Sequence, residues 1–189
     1  MKLSPGFFLS HSIPGIQYKT LETQRVLFFR FRQSDKVFRT AMATIDPFLQ
    51  AAIAEARQGM AEGGIPIGSV LVHGGRIIGR GHNRRVQKGS AILHGEMDAL
   101  ENAGRQPATV YRESVLYTTL SPCSMCSGAI LLYGIPRVIV GENRTFMGEE
   151  ELLRARGVSV EVVESEECIR LMEEFIRRSP SLWNEDIGV

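Results

Sequence analysis

The stretch that decides the fold is Ser114–Asn143, "SVLYTTLSPCSMCSGAILLYGIPRVIVGEN". Its opening, "SVLYTTL", is a short apolar run of β-branched and aromatic residues, the composition of a buried strand. "CSMCSGAILLYG" then reads as a helix ended by Gly134. "RVIVGEN" reads as the next strand. Pro122 suits the start of the helix, where an amide hydrogen would be unpaired anyway. Cys123 and Cys126 stand three residues apart, so on a helix they share a face and can grip one ion.

The pattern extends in both directions. Asp46 followed by Pro47 is an N-cap with proline at the first helical position. Phe48, Ala52, Ile53, Ala56 and Met60 then fall on one helical face, and Gly63-Gly64 ends that helix. "SVLVH" and "RIIGRG" flank Gly74-Gly75, a two-residue hairpin signal. "HGEMDALENAG" reads as a short helix stopped at Gly104. Downstream, "EEELLRARG" is a helix, "VSVEVVE" a strand and "SEECIRLMEEFIRR" a last helix capped by Ser165. Strands alternating with helices after a hairpin imply an α/β layer fold.

The chain has 189 residues, 43% of them hydrophobic and 23% charged, as expected of one globular domain with a real core. Three cysteines are too few for a disulfide framework and favour a reducing, cytoplasmic setting. No apolar run is long enough to read as a membrane span. The formal net charge of +1 hides an asymmetry. Residues 1–41 hold seven Lys/Arg and two acids, which leaves residues 42–189 with a balance of −4. That argues against nucleic-acid binding, which needs a basic stripe. Residues 1–41 show no clean period and resemble a transit peptide weakly. They read as an atypical extension, disordered or from a misassigned start, with a targeting or partner-binding arm as the alternative. Met42 looks like a natural beginning, so a chain starting there is expected to fold and act like the whole.

The thiols carry the chemistry. A helix N-terminus has positive partial charge, which favours thiolates, and zinc accepts two thiolates and an imidazole readily. A lone Cys-x-x-Cys is equally a redox pair or two small core residues. The third ligand is best sought in "GSAILHGEMDAL", where His94 opens a helix and Glu96 follows two residues on. His-x-Glu with a later Pro-Cys-x-x-Cys is the known signature of zinc nucleobase deaminases. Three protein ligands would leave a fourth position open, the mark of a catalytic site. Glu96 is then free to move protons.

Residues from about Ile45 to Val189 resemble the cytidine-deaminase-like superfamily, closest to its fungal-type cytosine deaminase branch. The resemblance rests on "EGGIPIG", "GRGHNRRVQKGSAILHGEMDALENAGR", "LYTTLSPCSMCSGAILLYGIPRVIVGEN" and "WNEDIG". The related tRNA adenosine deaminases share the zinc motif but usually have Ala where Gly95 stands, carry a basic surface and lack "WNEDIG". The resemblance implies a three-layer α/β/α sandwich with a central mixed five-stranded sheet. It implies one zinc per chain on His94, Cys123 and Cys126, with Glu96 as proton carrier. It also implies hydrolytic deamination of free cytosine, the alternatives being another small base or nucleoside such as guanine or cytidine, or adenosine in tRNA.

The pocket residues follow from the same resemblance. Asn83 would pair with O2 and N1–H of a pyrimidine, and Asp186 would accept from its exocyclic amine. Without the resemblance, Asn83 is turn chemistry after "GRGH" and Asp186 a solvated acid. Gly95 would supply a backbone N–H, Ser121 a carbonyl facing the leaving amine, and Phe146 and Trp183 aromatic walls. "CSGAILLYGIPR" resembles interface sequence in a family whose members are commonly homodimers. Cys168, Met97 and Met125 read as packing residues, and His73 and His82 as structural.

Overall fold

The computed structural model describes residues 46–189, so the expectation for residues 1–41 lies outside the described residues. In chain order the elements are α1 (Pro47–Ala61), β1 (Gly68–His73), β2 (Arg76–His82), α2 (Arg85–Lys88), α3 (Gly95–Ala103) and α4 (Ala108–Arg112). Then come β3 (Ser114–Leu120), α5 (Ser124–Tyr133), β4 (Arg137–Glu142), α6 (Glu150–Ala155), β5 (Ser159–Val162), α7 (Glu166–Arg178) and α8 (Pro180–Asp186). The strands form one five-stranded sheet ordered β2-β1-β3-β4-β5. β1 runs antiparallel to β2 and β3, with Val70 opposite Tyr117. β3, β4 and β5 are parallel, with Leu116 beside Val138 and Val138 beside Val160. The sheet is therefore mixed, as expected.

Alternation along the strands builds the two faces. Leu71, Leu116, Val138 and Val140 pack with Leu100 of α3, Ile130 of α5 and Leu153 of α6. Their neighbours Val70, Val72, Tyr117 and Ile139 pack with Leu49, Ala52 and Ile53 of α1 and Cys168 of α7. Helices on both faces of the sheet make the three layers. A third cluster joins Ile65, Ile67 and Leu120 to Met172, Phe175 and Trp183, binding α7 and α8 to the end of β3.

The local signals act as their chemistry requires. Asp46 caps α1 by accepting from the Phe48 N–H at 2.8 Å. Its other oxygen accepts from the Tyr117 hydroxyl at 3.1 Å, which ties the helix start to β3. Burial, then that carboxylate, pushes the Tyr117 pKa up to about 12. Gly74 and Gly75 both take positive φ, 55° and 73°, as a tight hairpin turn demands. Ser165 caps α7 through the Cys168 N–H. Cys168 is buried, as expected.

Four readings differ from the structure. The buried face of α1 is Leu49, Ala52, Ile53, Ala56 and Gly59; Phe48 and Met60 lie at its margin. Gly59 packs closely on the His82 ring, where a Cβ would sit 3.0 Å from Cδ2. Pro122 precedes the cap of α5 rather than opening the helix, since Cys123 is the N-cap. The final sequence helix is followed by another, α8, and the short α2 and α4 were also unread. The strand at "VSVEVVE" is limited to Ser159–Val162.

α3, which bears the expected His94 and Glu96, lies unusually close to β2. A Cβ on Gly79 would sit 2.2 Å from the Ala99 carbonyl oxygen, and one on Gly81 2.4 Å from the Ala99 nitrogen. The obstacle is helix backbone, which cannot rotate away as a side chain can. Gly81→Ala is therefore expected to push α3 off the sheet and cost roughly 1–3 kcal/mol, as overpacking does. Thermal denaturation checks this, with a fall in Tm of roughly 2–4 °C per kcal/mol for a domain of this size. An unchanged Tm would mean that α3 is not held by this contact.

Candidate metal centre and cleft

The site lies where β3 hands over to α5 and where α3 begins. His94 is the N-cap of α3 and Cys123 the N-cap of α5, and neither uses its side chain to cap its own helix. Both side chains are thus free to face outward from helix ends rich in unpaired N–H groups. Cys126, one turn into α5, is fully buried. The ligating atoms of His94, Cys123 and Cys126 all lie within 4.8 Å of one another.

The donor set fits zinc. Bond lengths of about 2.0–2.1 Å to nitrogen and about 2.3 Å to sulfur, at a tetrahedral angle, put N and S about 3.5–3.6 Å apart. His94 Nδ1 and Cys123 Sγ are 3.5 Å apart. The other ring nitrogen, Nε2, lies 3.7 Å from Asp186 Oδ1. A carboxylate behind a ligating imidazole is the usual device for fixing its orientation.

Glu96 is 3% exposed, and its Oε2 lies 3.4 Å from Cys126 Sγ. It stands beside the trio without belonging to it. Burial raises its pKa, and the neighbouring Cys123 charge adds to that. The thiols move apart as a pair. The hydrogen bond from Cys126 brings Cys123 down to about 4, against the opposing effect of burial. Sharing that bond and being buried push Cys126 up. His94 is lowered by burial, but the bond to Cys123 and the charges of Asp186 and Glu96 outweigh this and raise it. The bond shared by Cys123 and Cys126 thus pushes the two thiols in opposite directions.

The cleft beside the trio is lined by His94, Glu96, Ser121, Cys123, Phe146, Trp183 and Asp186, with Ile67, Leu120 and Ile187 between them. Seven of the ten expected site residues therefore line one cleft. Cys126 lies buried behind it, and Gly95 is held in the first turn of α3, where a Cβ would sit 3.0 Å from the Ile67 carbonyl oxygen. Phe146 and Trp183 meet edge to face, centroids 5.9 Å apart. The Ser121 hydroxyl donates to buried Glu150 at 2.8 Å and accepts from the Gly148 N–H at 3.0 Å, pinning the loop that carries Phe146.

Asn83 is fully buried and does not line the cleft. Its Nδ2 donates to both Asp186 oxygens, at 3.0 and 3.1 Å, and its Oδ1 accepts from the Arg85 N–H. One N–H and one lone pair of the amide stay unused. Asp186 is buried at the end of α8, not a solvated acid at a frayed terminus. Sequence reasoning missed Arg85, whose Nη1 donates to Asp186 Oδ1 at 2.9 Å. The signal was available as complementary charge, "NRR" against "NED". His82 is structural, as expected, with its ring between Glu55 and Glu62.

The comparisons agree with this geometry. The family described as "Cytidine and deoxycytidylate deaminase zinc-binding region" matches residues 42–142. A cytosine deaminase of Candida albicans is 57% identical over 141 residues, 74% of this chain and 94% of that protein. A tRNA-specific adenosine deaminase of Streptococcus pyogenes is 39% identical over 142 residues, 69% of this chain and 89% of that protein. A solved chain from a study of tRNA:A34 deaminases superposes with a TM-score of 0.56 at 27% identity, covering 66% of this chain and 97% of that one.

The purified protein is expected to hold about one zinc per chain. Cys126→Ala should lose it, as elemental analysis by mass spectrometry would show. Full zinc content in that variant would remove Cys126 from the ligand set.

Proposed function

Because the chain belongs to the cytidine and deoxycytidylate deaminase zinc-binding family, we propose that it hydrolyses free cytosine to uracil and ammonia. The observation that carries this is the cleft itself: a buried carboxylate, Glu96, beside a His-Cys-Cys trio and opposite a second buried carboxylate, Asp186. The fungal relative, which the chain spans almost end to end, supports the choice of base.

When bound, zinc supplies Lewis acidity that brings the pKa of water toward neutrality. The chain's residues do the rest. Phe146 and Trp183, perpendicular to each other, wall the flat ring on adjacent sides and exclude water. Glu96 takes a proton from water and delivers it to N3, which makes C4 electrophilic. The water oxygen bonds to C4. Glu96 then passes the second proton to the exocyclic amine, the C4–N bond breaks, and ammonia leaves. Asp186 accepts from that amine, and the Ser121 carbonyl and Gly95 N–H border the reacting edge. Asn83 lies behind the lining, so its pairing with O2 and N1–H requires its amide to open toward the cleft when the base binds. Cytidine carries a sugar at N1 and would leave the amide's lone pair unmatched, a loss that such sites convert into rejection.

Deamination of adenosine in tRNA is the second reading, supported by the streptococcal relative. The acid excess of residues 42–189 counts against it, since phosphates need a basic surface. No helix among the described residues is long and apolar enough to cross a membrane. Free thiols suit a cytoplasmic enzyme. A homodimer is part of the proposal, supported by Leu132 and Tyr133, which α5 leaves 78% and 40% exposed. Residues 1–41 are dispensable in this reading.

Ammonia release from cytosine, cytidine and guanine at equal low concentration tests the assignment, with cytosine fastest. Glu96→Gln should keep its zinc and lose more than a single general-base effect of roughly 10²–10⁴-fold in turnover. Faster turnover of cytidine or guanine would sink the choice of substrate. Zinc loss in Glu96→Gln would sink the role of Glu96.

A further inference from the structure

Arg85 is the first residue of α2, far in sequence from the chain's end. Its side chain is 19% exposed and its partner Asp186 is 2% exposed. Nη1 donates to Asp186 Oδ1 at 2.9 Å and to the Glu185 carbonyl oxygen at 3.2 Å. Nη2 lies 3.8 Å from the Glu185 carboxylate. Nε is buried with no hydrogen-bond partner among the described residues. Desolvating this guanidinium is therefore offset at one end only, the end that holds α8. A buried charge in such a position is costly unless paired, so the pairing with Asp186 is what keeps both groups in place.

The clasp does two things at once. It takes up one oxygen of Asp186, Oδ1, which also receives Asn83 and lies 3.7 Å from His94 Nε2. Among the described residues, Oδ2 accepts only from Asn83. An acceptor site is thus left on the Oδ2 side of a carboxylate that lines the cleft. The clasp also anchors the C-terminal end of α8, a helix of seven residues too short to hold itself. Trp183, on the same helix, packs against Phe146.

We propose that Arg85 is a positioning residue for substrate recognition: its guanidinium clasps Asp186 and the Glu185 carbonyl, aims the remaining acceptor site on Asp186 Oδ2 at the substrate's exocyclic amine, and seats Trp183 over the cleft. The role of Asp186 rests on the cytosine reading above; the seating of Trp183 does not. Arg85 touches no reacting atom, so its loss weakens binding more than the chemical step. Lysine keeps the charge but lacks the fork that reaches both acceptors.

Arg85→Ala and Arg85→Lys in the full-length zinc enzyme test this. Trp183 is the chain's single tryptophan, so its emission reports on α8 with or without substrate. In Arg85→Ala, zinc should stay at the parent's level and Trp183 emission should shift to the red with greater quenching by acrylamide. KM for cytosine should rise roughly 10–100-fold, the usual scale for supporting residues, with a smaller change in kcat. Arg85→Lys should fall between the two in both readouts. Unchanged Trp183 emission and a KM within twofold of the parent would overturn the proposal. So would a loss of Tm alone, with both readouts intact. If the parent left cytosine untouched, the substrate reading would fall, and Trp183 emission would still decide whether Arg85 seats α8.

Discussion

Everything in this site depends on two helix beginnings meeting at one point. His94 and Cys123 are 29 residues apart, yet their ligating atoms come within 3.5 Å because each is the N-cap of its helix. A cap side chain normally satisfies its own first turn. Here both are turned away toward a shared space, where a cation would take the thiolate and the imidazole as ligands. The sheet enforces the meeting. Gly79 and Gly81 let α3 lie directly on β2, and the turn after β3 delivers α5 to the same edge.

Around that point the fold stores buried acids, each with an assigned partner set. Glu150 is held by Ser121, Asn143 and Arg154. Glu142 accepts from Arg144 N–H, Thr145 N–H and the Thr145 hydroxyl. These two carboxylates brace both ends of the loop that bears Phe146. Asp186 has Asn83 and Arg85. Glu96 differs: its one side-chain partner among the described residues is Cys126, and burial raises its pKa. A carboxylate left this bare amid satisfied neighbours is suited to exchanging protons rather than holding structure.

Much of the fold was legible because its signals are local. Gly74-Gly75 marks the hairpin, Asp46-Pro47 the start of α1, and "SVLYTTL" a strand buried on both faces. His94, Cys123 and Cys126 were singled out by the deaminase motif and the resemblance built on it, and the fold brings their side chains together. What was hidden depends on tertiary contact. The buried face of α1 includes Gly59, which packs on the His82 ring, and Phe48 finds Tyr117 at the margin, so period alone misplaces the stripe. α8 opens with Ser179-Pro180, the same kind of signal as Asp46-Pro47, but seven residues are too few for a period to show. Arg85 and Asp186 are an ordinary arginine and an ordinary acid until the fold brings together residues 101 positions apart. Asn83 was marked by resemblance, but its engagement with Asp186 was not readable from the chain.

The most direct test of the account is the coordination of the bound metal, measured by X-ray absorption at the zinc edge. The account expects one imidazole nitrogen at about 2.0–2.1 Å and two sulfurs at about 2.3 Å per zinc, with a light atom from solvent completing the shell. A shell of four sulfurs, or one without sulfur, would contradict the meeting of His94, Cys123 and Cys126 on which the rest is built.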